Sequence, residues 1–87
     1  MKGKTDSGFD FDVEKEVFDD MELLDALVEA DSGSLIAVPK VAEKILGKDQ
    51  KKRLYDHLRQ ENGRVPVHLV SDEIGNIMKL IGEEGKN

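Results

Sequence analysis

Hydrophobic positions fall into five groups along the chain, and their spacing changes from one group to the next. Phe9, Phe11 and Val13 alternate with Asp10, Asp12 and Glu14. This period of two predicts a short strand or an extended arm. One strand has no stability alone and needs a partner edge, which another chain could supply. Next, Asp19 and Asp20 precede Met21, Leu23, Leu24, Leu27 and Val28. The acid pair suits the N-terminal end of a helix. Met21, Leu24, Leu27 and Val28 share one helical face, and Gly33 suits a left-handed exit, so the first helix is predicted over 20–30. Leu35–Val38 leads into Pro39, a residue suited to a first helical turn. Val41, Ala42, Ile45 and Leu46 then carry a stripe that Gly47 stops. That second helix starts either at Pro39 or, with a kink, at Ser34. A third, about 49–61, is capped by Asp49, carries Leu54 and Leu58, and stops at Asn62-Gly63. Pro66 breaks continuation, leaving Arg64–Leu69 extended or as a loose turn. Ser71 is a good N-cap for a fourth helix, in which Ile74, Ile77, Met78 and Ile81 recur at i, i+3, i+4 and i+7 before Gly82.

The predicted fold is therefore mainly all-α: a compact domain of four short helices, residues 9–82, with an extended N-terminal arm or short strand. Residues 1–8, polar with two glycines, are expected to be a disordered tail, and 83–87 a polar C-terminal tail. With 87 residues this is a single domain that buries only ~60% of its unfolded surface. Partners are thus expected to complete the core. There is no cysteine, which excludes disulfides and thiolate metal sites. No apolar run approaches the ~20 residues of a membrane span, and MKGKTDSG lacks the apolar core of a signal peptide. A cytosolic protein is expected.

Charge divides the chain. Residues 1–39 hold eleven acids and three bases; residues 40–87 hold eight acids and ten bases. The halves complement each other within the fold or between subunits. A phosphate-binding face is disfavoured, because the acidic half repels nucleic acid.

The stretch LYDHLRQENGRVPVHLV, residues 54–70, gathers two histidines, basic residues and a glycine turn, and invites chemical readings. A calcium loop with Gly63 at position 6 would place Leu58 at position 1 and Leu69 at position 12, where oxygen ligands are needed. Zinc fares no better: His57 and His68 lie eleven residues apart, and no pair has the i, i+4 spacing of two ligands on one helix face. Helices 49–61 and 71–82 form a loose helix-turn-helix outline, the basis of an alternative reading as a small nucleic-acid-binding regulator. The would-be recognition helix carries Asp72, Glu73, Glu83 and Glu84 against Lys79, a poor entrant to the major groove. The four serines lie in turns, caps or the tail, and no Gly-x-Ser-x-Gly, P-loop or Gly-x-Gly-x-x-Gly is present. No catalytic, cofactor-binding or metal-binding residues are expected, and the protein is not expected to be an enzyme. What remains is protein recognition. The apolar residues that exceed the needs of one small fold are Phe9, Phe11, Val13, Phe18, Leu35, Ile36, Leu80 and Ile81, the candidate partner-binding set.

The order of these elements resembles a known family. FDFDVEKEVFDDMELLDALVEAD followed by KVAEKILGKDQKKRLYDHLRQENGRVPVHLVSDEIGNIM is similar to the small tail assembly chaperones encoded just upstream of the tape measure protein in tailed phages and prophages of Gram-positive bacteria. The likeness covers roughly residues 9–81. Its most specific pieces are Asp19-Asp20-Met21-Glu22-Leu23-Leu24, Leu46-Gly47-Lys48-Asp49-Gln50, His57-Leu58-Arg59 and Asn62-Gly63-Arg64-Val65; Asn62 stands where an acid is expected. The resemblance implies a non-enzymatic protein of the host cytoplasm, absent from the mature virion. It implies binding and shielding of the tape measure protein, recruitment of tail tube subunits (through a longer form made by ribosomal frameshifting) and action in many copies as a homo-oligomer. It implies no nucleic acid and no membrane. Gly85-Lys86-Asn87 permits a slippery codon sequence, which reading the gene would check.

Overall fold

The computed structural model describes residues 1–84. They form a two-stranded antiparallel sheet, β1 (Lys2–Lys4) with β2 (Asp10–Asp12), a 3₁₀ turn (Lys15–Phe18), and three helices: α1 (Met21–Asp31), α2 (Ala37–Leu58) and α3 (Val67–Glu84). The chain is mainly helical, as its periodicity requires. α2 holds two helical segments, 37–46 and 48–58, on either side of a kink at Gly47, whose φ and ψ are non-helical; taken as one element it leaves three helices, and the expected count of four is not confirmed. Among the described residues no helix is long and apolar enough to cross a membrane.

The alternation at Phe9–Val13 does make a strand, but its partner is in the same chain. Residues 1–8, expected to be disordered, supply β1, with Lys2 opposite Asp12, Gly3 opposite Phe11 and Lys4 opposite Asp10. The other edge of β2 is also occupied. The Gln50 side-chain amide accepts from Asp12 N–H and donates to Asp12 C=O, each at 2.8 Å, and Arg53 donates to Asp10 C=O at 3.3 Å. Gln50 thus presents one peptide-like group where a third strand would pair. This closes the edge of β2 to the strand addition that an extended arm would have offered.

Inside the hairpin, Phe11 lies across Gly3. A Cβ at Gly3 would come within 2.6 Å of the Phe11 Cζ. Gly3→Val should therefore displace a ring that is only 4% exposed, lowering stability by ~1–3 kcal/mol through overpacking. Thermal unfolding checks this; an unchanged midpoint would mean that β1 contributes nothing to the fold.

Each helix delivers one fully buried large side chain to the core: Leu23 from α1, Leu54 from α2 and Ile77 from α3. Around them pack Phe9, Phe11 and Val13 from the arm, Val41, Ala42, Ile45, Leu46 and Leu58 from α2, and Val70, Ile74 and Ile81 from α3. Asp20 caps α1, its Oδ1 accepting from Glu22 N–H at 2.9 Å. Pro39 sits in the first turn of α2, where its missing N–H costs nothing.

Residues 59–66 form the joint between α2 and α3. Gly63, with φ 84°, allows a tight turn closed by Gly63 N–H to Gln60 C=O (2.9 Å) and Gln60 N–H to Arg64 C=O (2.8 Å). Asn62 Oδ1 accepts from Arg64 N–H, and Arg59 donates to Gly63 C=O. A helix-turn-helix uses a turn of ~3–4 residues, and this connection is longer. α3 begins at Val67, four residues before Ser71, so Ser71 is not its N-cap and Val67–Leu69 are helical rather than extended. Pro66 supplies the first acceptor, its carbonyl taking Val70 N–H at 3.4 Å. At the other end α3 runs past Gly82 to Glu84, so residues 83–84 of the expected polar tail continue the helix. Residues 85–87 of that tail lie outside the described residues.

Candidate functional site

The eight residues expected to meet a partner separate into two groups. Phe9, Phe11, Val13 and Ile81 are buried in the core, between 2% and 7% exposed, so the apolar surplus read from them does not reach the surface. The reason is β1, which closes over the arm, and α2, which lies beneath it. Phe18 and Leu80 are half-buried against the same core. Leu35 and Ile36, at 67% and 89% exposed, are the two that face solvent.

They are not alone. Met21, Leu24, Val28 and Val67 are also exposed. On α1 the core face is Leu23 and Ala26, with Leu27 and Ala30 partly buried, whereas Met21, Leu24 and Val28 form a second apolar stripe that points outward. The expectation that Met21, Leu24, Leu27 and Val28 act as one face is thus corrected: Leu27 turns inward and the other three turn out. A signal for this existed. α1 carries apolar residues on more of its circumference than the ~100° stripe that one core requires.

A groove lies along the other side of α1, lined by Leu27, Ala30 and Asp31. α1 and α3 each pack on α2 rather than on one another. Between them Leu27, Ala30 and Asp31 form one wall, Val38 and Val41 the floor, and Ser71, Gly75 and Met78 the other wall. A second depression, lined by Leu35, Val38, Pro39, Tyr55, Val65, Val67 and Val70, continues it past Leu35. The groove holds about 250 Å³ and is open to solvent. Small-molecule sites usually enclose ~300–1,000 Å³. The shape suits a docking surface for a protein segment better than a ligand chamber.

Charge on α1 is of one sign, although of its charged residues only Asp31 lines the groove. The charged residues of α1 are Glu22, Asp25, Glu29 and Asp31, all acids. Lys44 of α2 lies near Asp20 and Glu22, at 3.6 and 3.8 Å, on the side of α1 that faces α2. Farther along α2, Lys51 pairs with Glu43 at 2.8 Å and sits 5.9 Å from the Tyr55 ring centroid, beside the second depression. The hydrogen bond from Lys51 holds the Glu43 carboxyl below its ordinary range, and the same bond raises Lys51. The pair is largely solvated, so its contribution is small and falls with added salt.

A polar cluster lies on the hairpin side of the molecule. Glu73 of α3 is 5% exposed and accepts from the Thr5 hydroxyl at 3.2 Å and from the Ser7 hydroxyl. The His57 Nε2 lies 3.1 Å from Ser7 Oγ and 3.2 Å from Ser7 C=O, and Asn76 Oδ1 accepts from Asp6 N–H at 2.7 Å. Serine, histidine and glutamate meet here, but in the wrong order for a hydrolytic triad. The triad carboxylate orients the imidazole from its Nδ1 side, whereas Glu73 bonds the serine directly. The cluster ties the residue 5–8 turn to α2 and α3. Sequence reasoning missed this role for His57; His68 is exposed on α3. Among the described residues, every buried side-chain nitrogen and oxygen has a hydrogen-bond partner.

Comparison with known proteins returns no match: no protein-family profile, no curated protein and no solved structure is significantly similar to this chain.

Proposed function

We propose that this protein is a phage tail assembly chaperone that binds and shields the helical tape measure protein and helps to recruit tail tube subunits while the tail is built in the host cytoplasm. The observation that carries this reading is the set of exposed apolar residues, Met21, Leu24, Val28 and Ile36, together with the open depressions lined by Leu35 and Val67. An exposed apolar patch rimmed by charge marks a site of association. An amphipathic client helix lays its apolar face into such a groove. The net charge of −6 keeps a coated client soluble. The family resemblance supplies the identity of the client.

Co-expression with the tape measure protein tests the proposal. The soluble fraction of the tape measure should rise and the two should co-purify. A Leu24→Lys/Val28→Lys double variant, altered only at exposed positions, should remain folded and lose the effect. A tape measure equally insoluble with and without the wild-type chain, and no co-purification, would sink the reading.

A further inference from the structure

We infer that Asn62 is a site of self-modification: in the folded chain the backbone nitrogen of Gly63 attacks the Asn62 side-chain amide, and the joint between α2 and α3 converts with time from asparagine to aspartate and isoaspartate. This uses only the chemistry of the joint and stands apart from the chaperone reading.

The reaction needs water and hydroxide as its only co-reactants. Hydroxide takes the proton of Gly63 N–H. The nitrogen forms a bond to Asn62 Cγ, the Cγ–Nδ2 bond breaks, and the amide nitrogen leaves as ammonia after gaining a proton from water. Water then opens the cyclic imide at one carbonyl or the other. One opening gives aspartate. The other gives isoaspartate, in which the main chain runs through Cγ and is longer by a carbon.

Three observations favour the step at this position. The residue after Asn62 is glycine, with no Cβ to crowd the approach of nitrogen to Cγ. Asn62, Gly63 and Arg64 are all exposed, so hydroxide and water reach them. Asn62 Oδ1 accepts from Arg64 N–H at 2.9 Å. That bond folds the carboxamide back over the Gly63 peptide, as in an Asx turn, and holds Cγ near the attacking nitrogen. It also sets a backbone donor on the oxygen where negative charge develops as the nitrogen adds.

One contact opposes it: Gly63 N–H is bonded to Gln60 C=O at 2.9 Å. Magnitudes decide between them. Releasing one such hydrogen bond costs ~0.5–1.5 kcal/mol, which slows the reaction by about tenfold at most. If the whole fold had to open, at ~4–13 kcal/mol, the slowing would be about a thousandfold or more. The turn is closed by bonds among residues 59–64 alone, so it opens without disturbing the core.

Asn76 supplies the contrast within the same molecule. It lies inside α3, its Oδ1 accepts from Asp6 N–H at 2.7 Å, and the next residue is the β-branched Ile77, which is 0% exposed. Its attack requires the helix to unfold.

The two products differ in consequence. Aspartate keeps an oxygen for Arg64 N–H and adds a negative charge to a joint that holds Arg59 and Arg64. Isoaspartate lengthens the main chain inside the turn that Gly63 N–H to Gln60 C=O and Gln60 N–H to Arg64 C=O close. Val65, which lines the depression beside Tyr55, lies directly beyond that turn.

Incubation of the full chain at mildly alkaline pH, folded and in guanidinium chloride, tests this. After trypsin, the peptide Gln60–Arg64 carries Asn62 alone and Val65–Lys79 carries Asn76, and mass spectrometry follows the change of amide to acid in each. In the folded chain Asn62 should convert within about tenfold of its rate in the unfolded chain, and in proportion to hydroxide concentration, while Asn76 converts only on unfolding. Isoaspartate in the product is read by labelling with isoaspartyl methyltransferase. The isoaspartate fraction should have a lower thermal midpoint than the wild-type chain, and Asn62→Asp an equal or higher one. An Asn62 rate in the folded chain slowed by more than about tenfold, a rate independent of pH, or conversion of Asn76 as fast as Asn62 would overturn the inference.

Discussion

Leu54→Ala should lower the unfolding free energy by about 3 kcal/mol, within the ~2–5 kcal/mol observed when a fully buried leucine is truncated. Leu54 is 0% exposed and lies in the second segment of α2. Around it, Gln50, Arg53 and His57 of the same segment hold the hairpin, while Leu58 reaches the same core. Truncation therefore opens a cavity where hairpin, α2 and α3 meet, and none of these can collapse into it without breaking the hydrogen bonds on its far side. A chain of this length has a total stability of only ~4–13 kcal/mol, so the loss is a large share of it. Urea unfolding is the measurement. With m near ~1–3 kcal/mol/M, the midpoint should fall by ~1–3 M while m itself is unchanged. A cost below ~1 kcal/mol would mean that the site relaxes around the missing atoms and that hairpin and helices are less tightly coupled than their burial implies. Leu24→Ala is the matched control. It removes the same atoms from an exposed position on α1 and should cost little, while weakening any partner that rests on the outward stripe.

The contrast between Leu54 and Leu24 also shows where sequence patterning succeeds and where it fails. The limits of α1 were legible, because Asp20 as a cap and Gly33 as an exit are local signals that no tertiary contact overrides. The face of α1 that points inward was not. Seven of its residues are apolar, and periodicity alone does not say which stripe α2 selects. The strand at Phe11 was legible from its alternation, but β1 was not, since Lys2-Gly3-Lys4 has no apolar pattern. It is a strand only because β2 offers an edge and Phe11 covers Gly3, and both facts depend on the turn at residues 5–8. That turn, held by Glu73, His57 and Asn76 from distant helices, was read as disorder. Consequently, the arm residues expected to meet a partner are in the core, and the apolar residues left exposed lie on the opposite stripe of α1 and around Leu35. The start of α3 was misplaced for a related reason. Ser71 is a strong local cap signal, but Val70 is needed in the core, and burying it extends the helix back to Pro66.

Gly47 is the position where local signal and tertiary structure meet most sharply, and Gly47→Ala should cost ~1–3 kcal/mol. Glycine there was read as the end of a helix. The structure keeps the break but resumes the helix directly after it, with φ 79° and ψ 169° at that single residue. This region of backbone space is almost closed to residues with a Cβ, at a cost of ~1–3 kcal/mol. No atom lies within 4 Å of the position a Cβ would take, so the penalty is conformational and not steric contact with the rest of the fold. Alanine has a second way to act. It favours continuing the helix straight through position 47, which would move the second segment, with Leu54 and Leu58, relative to Val41 and Ile45. The prediction is therefore a lower urea midpoint together with weakened protection of the hairpin in hydrogen exchange, because Gln50 and Arg53 move with that segment. Chirality separates the cause from every alternative. D-alanine, placed at the same position by chemical synthesis, has its favoured backbone region at this φ and ψ, so it should be neutral or stabilise by ~0.4–1 kcal/mol through the unfolded state. If the L and D forms are equally destabilised, the break at Gly47 is not held by backbone conformation, and the two segments of α2 must owe their angle to packing alone.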